Sequence, residues 1–397
     1  MAAPDSLPAR LAPLLPALRE AAREPLGLYL HWPFCRDRCT YCSFVTTRDG
    51  GLEAAVLARL LEEIRGWGRA LGSPALDTLY LGGGTPSLLG LEALGALSRG
   101  IRAAFGTLGL AEATLEANPG TVDQDWLQGA RRLGWDRVSL GVQSFDDALL
   151  ARLGRIHDGA AAEQALRAAS AAGFARRSAD LILGIPGQRL SGVLEDAQRL
   201  ADLGVTHLSI YMLDLDKACP LRAEVEAGRL ALPSEDDVAE CFEALQARLP
   251  ALGLEPYEIS NAAAPGEHSR HNLRYWERRP YLGLGPSAAS HLGRWRWTAS
   301  PVIPAWAEGR GETELQELDA AEELGEVPLL GLRLHQGVDW DALRARAERD
   351  GLLPLVDAWE QNLSTFHSQG LLLREGPRLR LTPRGMLLSN PVLQVFV

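Results

Sequence analysis

Three cysteines within eight residues are the part of this chain best suited to chemistry. Cys35, Cys39 and Cys42 follow a C-x3-C-x2-C spacing. Thiolates are soft ligands that suit iron–sulfur clusters or zinc. Three of them on one short loop can hold three irons of a cubane [4Fe–4S] cluster, which leaves the fourth iron open to a small molecule. The spacing therefore predicts a cluster with one exchangeable position.

Zinc is the alternative that this spacing leaves open. Structural zinc usually has four protein ligands, and the common zinc ribbon supplies its cysteines as two C-x2-C pairs. The chain has no second pair, although His31 could serve as a fourth ligand. Cys219 and Cys241 stand alone in the sequence. We therefore expect no disulfide framework and a reducing compartment.

The whole chain has an ordinary globular composition. Its 397 residues, 46% hydrophobic and 23% charged, are enough for one large domain and a smaller one. The net charge of −11 argues against a general surface for nucleic acid or anionic membranes. Residues 1–24 do not resemble a signal peptide, and no uncharged apolar run reaches about 18 residues. The sequence predicts a cytoplasmic protein that is not an integral membrane protein and binds no nucleic acid.

Short apolar runs alternate with longer amphipathic ones from residue 26 onward, which predicts six strand–helix units. The strands are expected at 28–32, 78–81, 114–117, 138–142, 180–183 and 207–213. The helices are expected at 53–71, 88–105, 122–133, 159–172, 190–202 and 236–252. This alternation implies an α/β fold with a parallel sheet. Periodicity alone leaves both an open doubly wound sheet and an incomplete barrel possible.

Unusual residues cluster where the predicted strands end. They are Cys35, the run 82–85, Glu116, Gln143, Asp180 and Tyr211. The carboxyl ends of parallel strands form the site in barrels and in open sheets, so we expect these residues to converge on one mouth. Polar groups such as Glu116 and Gln143 suit a nucleoside-bearing amino acid, and Arg155 suits its carboxylate. Capping or surface ion pairing is the alternative for each residue taken alone.

The run Gly82-Gly83-Gly84-Thr85-Pro86 follows the second predicted strand. Glycines at this place let a ligand approach the backbone closely, or they form a plain turn. The run lacks both the P-loop lysine and the G-x-G-x-x-G spacing, so phosphate and dinucleotide binding are disfavoured.

The strand–helix alternation stops near residue 260. Residues 261–318 are interpreted as a structured excursion, and 319–397 as helices at 340–349 and 354–368 followed by a hairpin around Gly376. This order suggests a small winged-helix-like domain that acts as a lid or docking element. Within the excursion, His268 and His271 stand beside Tyr275 and Trp276. Histidine is a common axial ligand of haem, so this run is a candidate haem site.

These motifs together resemble the radical S-adenosylmethionine (SAM) superfamily. More narrowly, they resemble its branch of oxygen-independent coproporphyrinogen III oxidases and HemW haem chaperones. The segments that carry the resemblance are 29–35, 39–42, 82–86, 139–144, 180–187, 257–261 and 269–276.

The resemblance implies a partial (β/α)6 radical-SAM barrel with a C-terminal helical, winged-helix-like domain. The implied divisions are an N-terminal extension (1–25), the barrel (26–260), a connecting haem-site segment (261–318) and the C-terminal domain (319–397). It assigns Cys35, Cys39 and Cys42 to the [4Fe–4S] cluster, with SAM bound to the open iron through its amino and carboxylate groups. The implied SAM contacts are Tyr29, Gly83, Gly84, Thr85, Glu116, Gln143, Arg155 and Asp180.

Two features separate this chain from the oxidase. The oxidase motif has a further cysteine where this chain has Phe44, and its extension before the cluster exceeds the 34 residues that precede Cys35 here. Both features are typical of the HemW family. The resemblance to that family implies haem binding and delivery to acceptor haemoproteins, including respiratory, membrane-associated haemoproteins. His271 is the first candidate for the axial ligand, followed by His268 and His291. The alternative function is a radical SAM oxidoreductase acting on coproporphyrinogen III or a related tetrapyrrole.

Overall fold

Six parallel strands form the centre of the protein, and the computed structural model describes residues 8–107 and 110–397. The strands are β1 (Leu26–Trp32), β2 (Leu76–Gly83), β3 (Glu112–Ala117), β4 (Arg137–Gln143), β5 (Arg176–Leu183) and β6 (His207–Met212). Each pairs in parallel with the next along the chain. The predicted parallel α/β sheet is confirmed. The first seven residues of the predicted N-terminal extension lie outside the described part.

Helices precede, connect and follow these strands, and the longer ones between strands cover the outer face of the sheet. They are α1 (Leu15–Ala21), α2 (Glu53–Leu71), α3 (Leu91–Ala104), α4 (Gln124–Arg132), α5 (Asp147–Arg152), α6 (Gly159–Ala171), α7 (Leu190–Asp202), α8 (Pro220–Glu226) and α9 (Glu235–Arg248). The short helices α5 and α8 were not predicted, because one or two turns are too few to show helical periodicity. Single 3-10 turns lie at Ala9–Leu14, Gly50–Leu52, Pro86–Leu88, Pro119–Thr121, Leu249–Leu252 and Gln394–Phe396.

Side chains on the strands alternate between a polar inner face and an apolar outer face, as the pleat requires. On β2, Thr78 hydrogen-bonds His271, whereas Leu79 belongs to the main hydrophobic core. Across β4 and β5, Ser139 donates to Asp180 at 3.5 Å. The polar inner face supplies the residues of the candidate site.

The segment after β6 adds strands to both edges of the sheet. Its elements are β7 (Glu255–Glu258), β8 (Asn261–Ala263), α10 (Arg270–Trp276), β9 (Tyr281–Leu284), β10 (Ala289–Leu292), β11 (Trp295–Thr298), α11 (Ile303–Ala307) and β12 (Glu314–Glu317). Strand β8 is antiparallel to β6, and β9 is parallel to β1. The sheet order is β12-β11-β10-β9-β1-β2-β3-β4-β5-β6-β8-β7. These three- and four-residue strands are too short for an alternating pattern, so the sequence analysis missed them.

The C-terminal residues form a second hydrophobic core around a small sheet of order β13-β15-β14. The elements are α12 (Ala320–Gly331), β13 (Val338–Asp339), α13 (Trp340–Arg349), α14 (Leu353–Ser368), β14 (Leu372–Glu375), β15 (Arg378–Leu381), α15 (Pro383–Leu387) and α16 (Ser389–Leu393). The helical, winged-helix-like architecture with its hairpin is confirmed. The domain boundaries stay predictions. Among the helices of the described residues, none has both the length and the apolar character needed to cross a membrane.

Candidate cofactor site

The cysteine loop begins directly after β1 and is anchored on both sides. The backbone N–H of Cys35 donates to the carbonyl of Thr47 at 3.0 Å. The backbone N–H of Thr40 donates to the carbonyl of Leu153, just after α5, at 3.0 Å. These bonds hold the loop above the carboxyl ends of the strands. Its three cysteines are not in disulfides.

A cavity of about 450 Å³ lies at this mouth, and we call it the cysteine cavity. Of the predicted site residues, all except Tyr29 and His271 line it. They are Cys35, Cys39, Cys42, Gly83, Gly84, Thr85, Glu116, Gln143, Arg155 and Asp180. Tyr211, noted in the sequence at a strand end, lines it as well. The structure thus brings together residues that are up to 176 positions apart in the chain.

Two of the three cysteine sulfurs already accept hydrogen bonds from protein donors. The hydroxyl of Thr85 donates to Sγ of Cys35 at 3.5 Å, and Nη1 of Arg155 donates to Sγ of Cys39 at 3.3 Å. Burial raises the pKa of the Cys35 and Cys42 thiols. Donors to sulfur stabilise a thiolate and tune an iron–sulfur cluster. The donor set fits a cluster.

The arrangement favours a cluster over a structural zinc ion. A cubane takes each cysteine on a different iron, so its sulfurs need not converge on one point. A zinc ion needs such convergence, and among the described residues no three His, Cys, Asp or Glu side chains are placed to hold one metal ion. His31, the candidate fourth zinc ligand, hydrogen-bonds Tyr29 through Nδ1 and the carbonyl of Val45 through Nε2.

The glycine run after β2 packs against the cysteine loop. A Cβ at Gly84 would lie 2.7 Å from the carbonyl oxygen of Phe34. The backbone N–H of Gly84 donates to Trp32, and that of Thr85 donates to Phe34, each at 2.8 Å. The close packing of these two loops therefore requires a glycine at position 84. A ligand that approaches the backbone would be a second reason for glycine here. This packing brings the Thr85 hydroxyl to Cys35.

Two half-buried carboxylates line the cysteine cavity. Glu116 accepts from the Tyr80 hydroxyl at 2.7 Å and from the Gly83 N–H at 3.0 Å, while burial raises its pKa. Burial and the charge of Glu116 raise the pKa of Asp180 to about 7. Removing these carboxylates from water penalises their charged forms, and a cationic ligand would offset that penalty. This part of the cavity therefore suits the positively charged groups of a ligand such as SAM.

Gln143 and Arg155 each carry a buried polar atom with no hydrogen-bond partner among the described residues, Oε1 and Nε respectively. The pairing of β4 is irregular between Leu140 and Gln143, and Gln143 has a φ of 69°. Buried polar atoms normally have partners, so unpaired ones in a cavity indicate a ligand. A ligand carboxylate could accept from Nε of Arg155, and a ligand hydroxyl or amino group could donate to Oε1 of Gln143.

Tyr29 lines a second cavity of about 610 Å³, which we call the aromatic cavity. Its aromatic walls are Tyr29, His31, Phe44, Tyr275, Trp276 and Tyr281. The charged residues that line it are Lys217, Arg296, Glu116 and Glu326. Ser43, Phe44, Gly83 and Glu116 line both cavities, so the two adjoin.

His271 lines neither cavity. Its side chain is 1% exposed, and its ring nitrogens hydrogen-bond the hydroxyls of Thr78 and Tyr275, each at 2.9 Å. Burial and the nearby charge of Arg274 lower the pKa of His271 to about 3. His268 stacks on Tyr257, and His291 hydrogen-bonds the carbonyl of Gly293. The structure does not bring these three histidines to the wall of either cavity.

Sequence reasoning named Tyr29, Phe44, Tyr275 and Trp276 but did not place them on the wall of one cavity. It did not single out Tyr281 or Lys217. Two signals were available: Tyr275 follows His271 by four residues on one helix, and Lys217 is the sole lysine of the chain. The alternation Ser139-x-Gly141-x-Gln143 is a further signal, since it indicates the polar inner face of a strand.

Comparisons with known proteins agree with this geometry. A sequence profile of the radical SAM superfamily matches residues 29–200, and one of the HemN C-terminal domain matches residues 318–388. The heme chaperone HemW of Mycobacterium tuberculosis (strain ATCC 25618 / H37Rv) is 36% identical over 399 residues, covering 98% of this chain and 99% of the relative. HemW of Escherichia coli (strain K12) is 32% identical over 386 residues, covering 94% and 98%.

The structure also resembles a solved one. Coproporphyrinogen III oxidase (HemN) from Escherichia coli, described as a radical SAM enzyme, superposes with a TM-score of 0.85. The match covers 99% of this chain and 94% of that chain at 21% sequence identity. At that identity the likeness concerns the fold, and it confirms the partial barrel with its C-terminal helical region.

Proposed function

This chain belongs to the radical SAM superfamily and, within it, to the HemW family, and we propose that it is a haem chaperone. It binds haem together with a SAM-coordinated [4Fe–4S] cluster and delivers the haem to acceptor haemoproteins. One observation carries the proposal. The cysteine loop and the polar strand ends line a single cavity, in a chain whose full-length relatives are named heme chaperones.

The residues of the cysteine cavity have distinct roles in this proposal. Cys35, Cys39 and Cys42 hold the cluster, which supplies an open iron position for the amino and carboxylate groups of SAM. Arg155, a buried cation with an unpaired Nε, binds the carboxylate of SAM. Glu116 and Asp180 stabilise its positive charge.

The remaining contacts assigned to SAM shape the cavity around it. Gln143 offers its unpaired Oε1 to a hydroxyl or amino group. Gly83, Gly84 and Thr85 form the wall next to Cys35, and Tyr29 borders the adjoining aromatic cavity.

Haem occupies the aromatic cavity. Phe44 lines both cavities and is 65% exposed, although large apolar side chains are usually buried. A flat apolar macrocycle would cover this ring and the neighbouring tyrosines. The acceptors are haemoproteins, including respiratory, membrane-associated ones.

Anaerobic reconstitution tests the proposal. We expect iron and sulfide in the amounts of one [4Fe–4S] cluster, an altered electron paramagnetic resonance spectrum of the reduced cluster when SAM is added, and one bound haem per chain. The haem should then move to an apo-haemoprotein such as apomyoglobin.

Incubating the reduced protein with SAM and coproporphyrinogen III tests the alternative. Conversion to protoporphyrinogen without haem transfer would replace the chaperone by a radical SAM oxidoreductase. Absence of both haem binding and conversion would contradict both functions.

A further inference from the structure

His271 and Tyr275 form a hydrogen-bonded pair that runs from the core to the wall of the aromatic cavity. They are four residues apart on α10, so their side chains lie on one face of the helix. Nε2 of His271 and the hydroxyl oxygen of Tyr275 are 2.9 Å apart. Tyr275 is half-buried and lines the cavity, whereas His271 is enclosed behind it.

Helix α10 is fixed near both of its ends. The Glu112 carboxylate accepts hydrogen bonds from the backbone N–H groups of Arg270 at 3.1 Å and His271 at 3.0 Å. Arg274, at 0% exposure, donates from Nη1 to both carboxylate oxygens of Asp77, at 2.6 and 2.7 Å. Direct contact between Nε2 of His271 and a ligand in the cavity would require its hydrogen bond to Tyr275 to break.

We propose that the hydroxyl oxygen of Tyr275 binds the haem iron and that His271 positions this oxygen; the inference rests on the haem-binding function proposed above. Tyrosine is one of the side chains that serve as axial ligands to haem. When ferric haem binds, the O–H bond of Tyr275 breaks, an Fe–O bond forms and the proton leaves to solvent. The iron remains ferric, so no electron donor or acceptor is needed.

The surroundings of His271 suit this positioning role. Because burial and Arg274 disfavour its charged form, the imidazole stays neutral. The Nε2–H can then donate to the phenolate of Tyr275, while Nδ1 accepts from the hydroxyl of Thr78. Burial raises the pKa of the Tyr275 phenol, so the phenolate forms only where ferric iron takes the place of the proton. A hydrogen bond from Nε2–H holds that phenolate in one orientation next to the apolar macrocycle.

The rest of the cavity has the chemistry of a tetrapyrrole site. Tyr281 stands edge-on to Tyr275 with ring centroids 4.6 Å apart. Lys217 is exposed and Arg296 forms an ion pair with Glu326. Lys217 and Arg296 line the same cavity as Tyr275, and an ammonium group such as that of Lys217 can pair with a haem propionate.

Spectroscopy of ferric haem bound to the full-length, reconstituted protein tests the iron ligand. The wild-type protein should show a phenolate-to-iron charge-transfer band and phenolate modes in its resonance Raman spectrum. Tyr275→Phe should lose both and bind haem at least about tenfold more weakly, because the axial Fe–O bond is lost. Tyr281→Phe, the matched control in the same cavity, should keep both. His271→Gln should keep the phenolate signature with shifted modes.

The outcomes separate this inference from the proposed function. A wild-type protein that binds no haem overturns both. Haem bound with a spectrum unchanged by Tyr275→Phe, or with an imidazole-type spectrum lost in His271→Gln, overturns the inference alone. Thermal unfolding of each variant shows whether the fold is intact, and Tyr275→Phe keeps the ring that packs on Tyr281.

A chemical cross-link locates the haem independently. Because Lys217 is the sole lysine of the chain, carbodiimide-activated haem propionates should attach there, with the N-terminal amine as the other possible site. Peptide mass spectrometry should find haem on Lys217, and Lys217→Arg should abolish that attachment. Attachment at the N-terminus alone would contradict haem in the aromatic cavity.

Discussion

The guanidinium of Arg155 donates from Nη1 to Sγ of Cys39 at 3.3 Å. Its Nη2 donates to the carbonyl of Gly141, within β4, at 2.7 Å. Its Nε has no partner among the described residues. One buried cation therefore joins the cysteine loop to a strand end and still has an N–H group for a ligand.

Replacing Arg155 should weaken SAM binding. Arg155→Gln removes a charge-assisted hydrogen bond to the carboxylate, a loss of about 1.5–3 kcal/mol or roughly 10–100-fold in affinity. Anaerobic calorimetry with the reconstituted protein measures this. Arg167→Gln, on the exposed face of α6, is the control and should bind SAM normally. Equal affinities in the two variants would contradict the role of Arg155.

Each cysteine of the loop should be necessary for the cluster. Cys35→Ser, Cys39→Ser and Cys42→Ser should each reduce iron and sulfide to background after reconstitution, because a hard hydroxyl replaces a soft thiolate. Cys241→Ser is the control, since that residue lies in α9 and lines no part of the cysteine cavity. A full cluster in any of the three loop variants would show that another residue supplies the ligand.

Gly84→Ala should destabilise the fold. The added Cβ would lie 2.7 Å from the carbonyl oxygen of Phe34, and overpacking of this kind costs about 1–3 kcal/mol. Gly192→Ala in α7 meets nothing within 4 Å and should raise the free energy of unfolding by about 0.5–1 kcal/mol. Urea unfolding of the two variants measures the difference. Equal urea midpoints for the two variants would mean that the cysteine loop and the glycine run after β2 can move apart at little cost in free energy.

Asp180→Asn should stabilise the cofactor-free protein in a pH-dependent manner. Folding raises the pKa of Asp180 from 3.8 to about 7. The free energy of unfolding of the wild-type protein is therefore undiminished by Asp180 below pH ~4, and it falls as the pH rises through ~7. Asparagine cannot ionise. The gain in unfolding free energy should therefore grow from near zero at low pH to roughly 2–4 kcal/mol above neutral pH.

Denaturant unfolding across this pH range measures the effect of Asp180→Asn. Asp214→Asn removes an exposed carboxylate from the same cavity and serves as the control. A gain that is constant with pH would mean that the effect comes from packing and not from ionisation.

The central sheet was predictable because its signals are local. A buried parallel strand and its crossover helix produce an apolar run followed by an amphipathic one, and α2 (Glu53–Leu71) lies where the periodicity predicts it. The cysteine spacing is equally local, since three thiols on one loop must lie close together. The strands β8 and β9 gave no such signal, because three or four residues are too few for a recognisable apolar run.

The sequence alone determined the family, the parallel sheet and which polar residues lie at its carboxyl edge, because residue spacing and strand order dictate those features. Only the tertiary structure decided which residue of α10 meets a cavity. His271 and Tyr275 look equally available in the sequence, yet Asp77, Thr78 and Glu112, all distant in the chain, hold the helix. Those long-range contacts bury the imidazole and leave the tyrosine at the cavity wall.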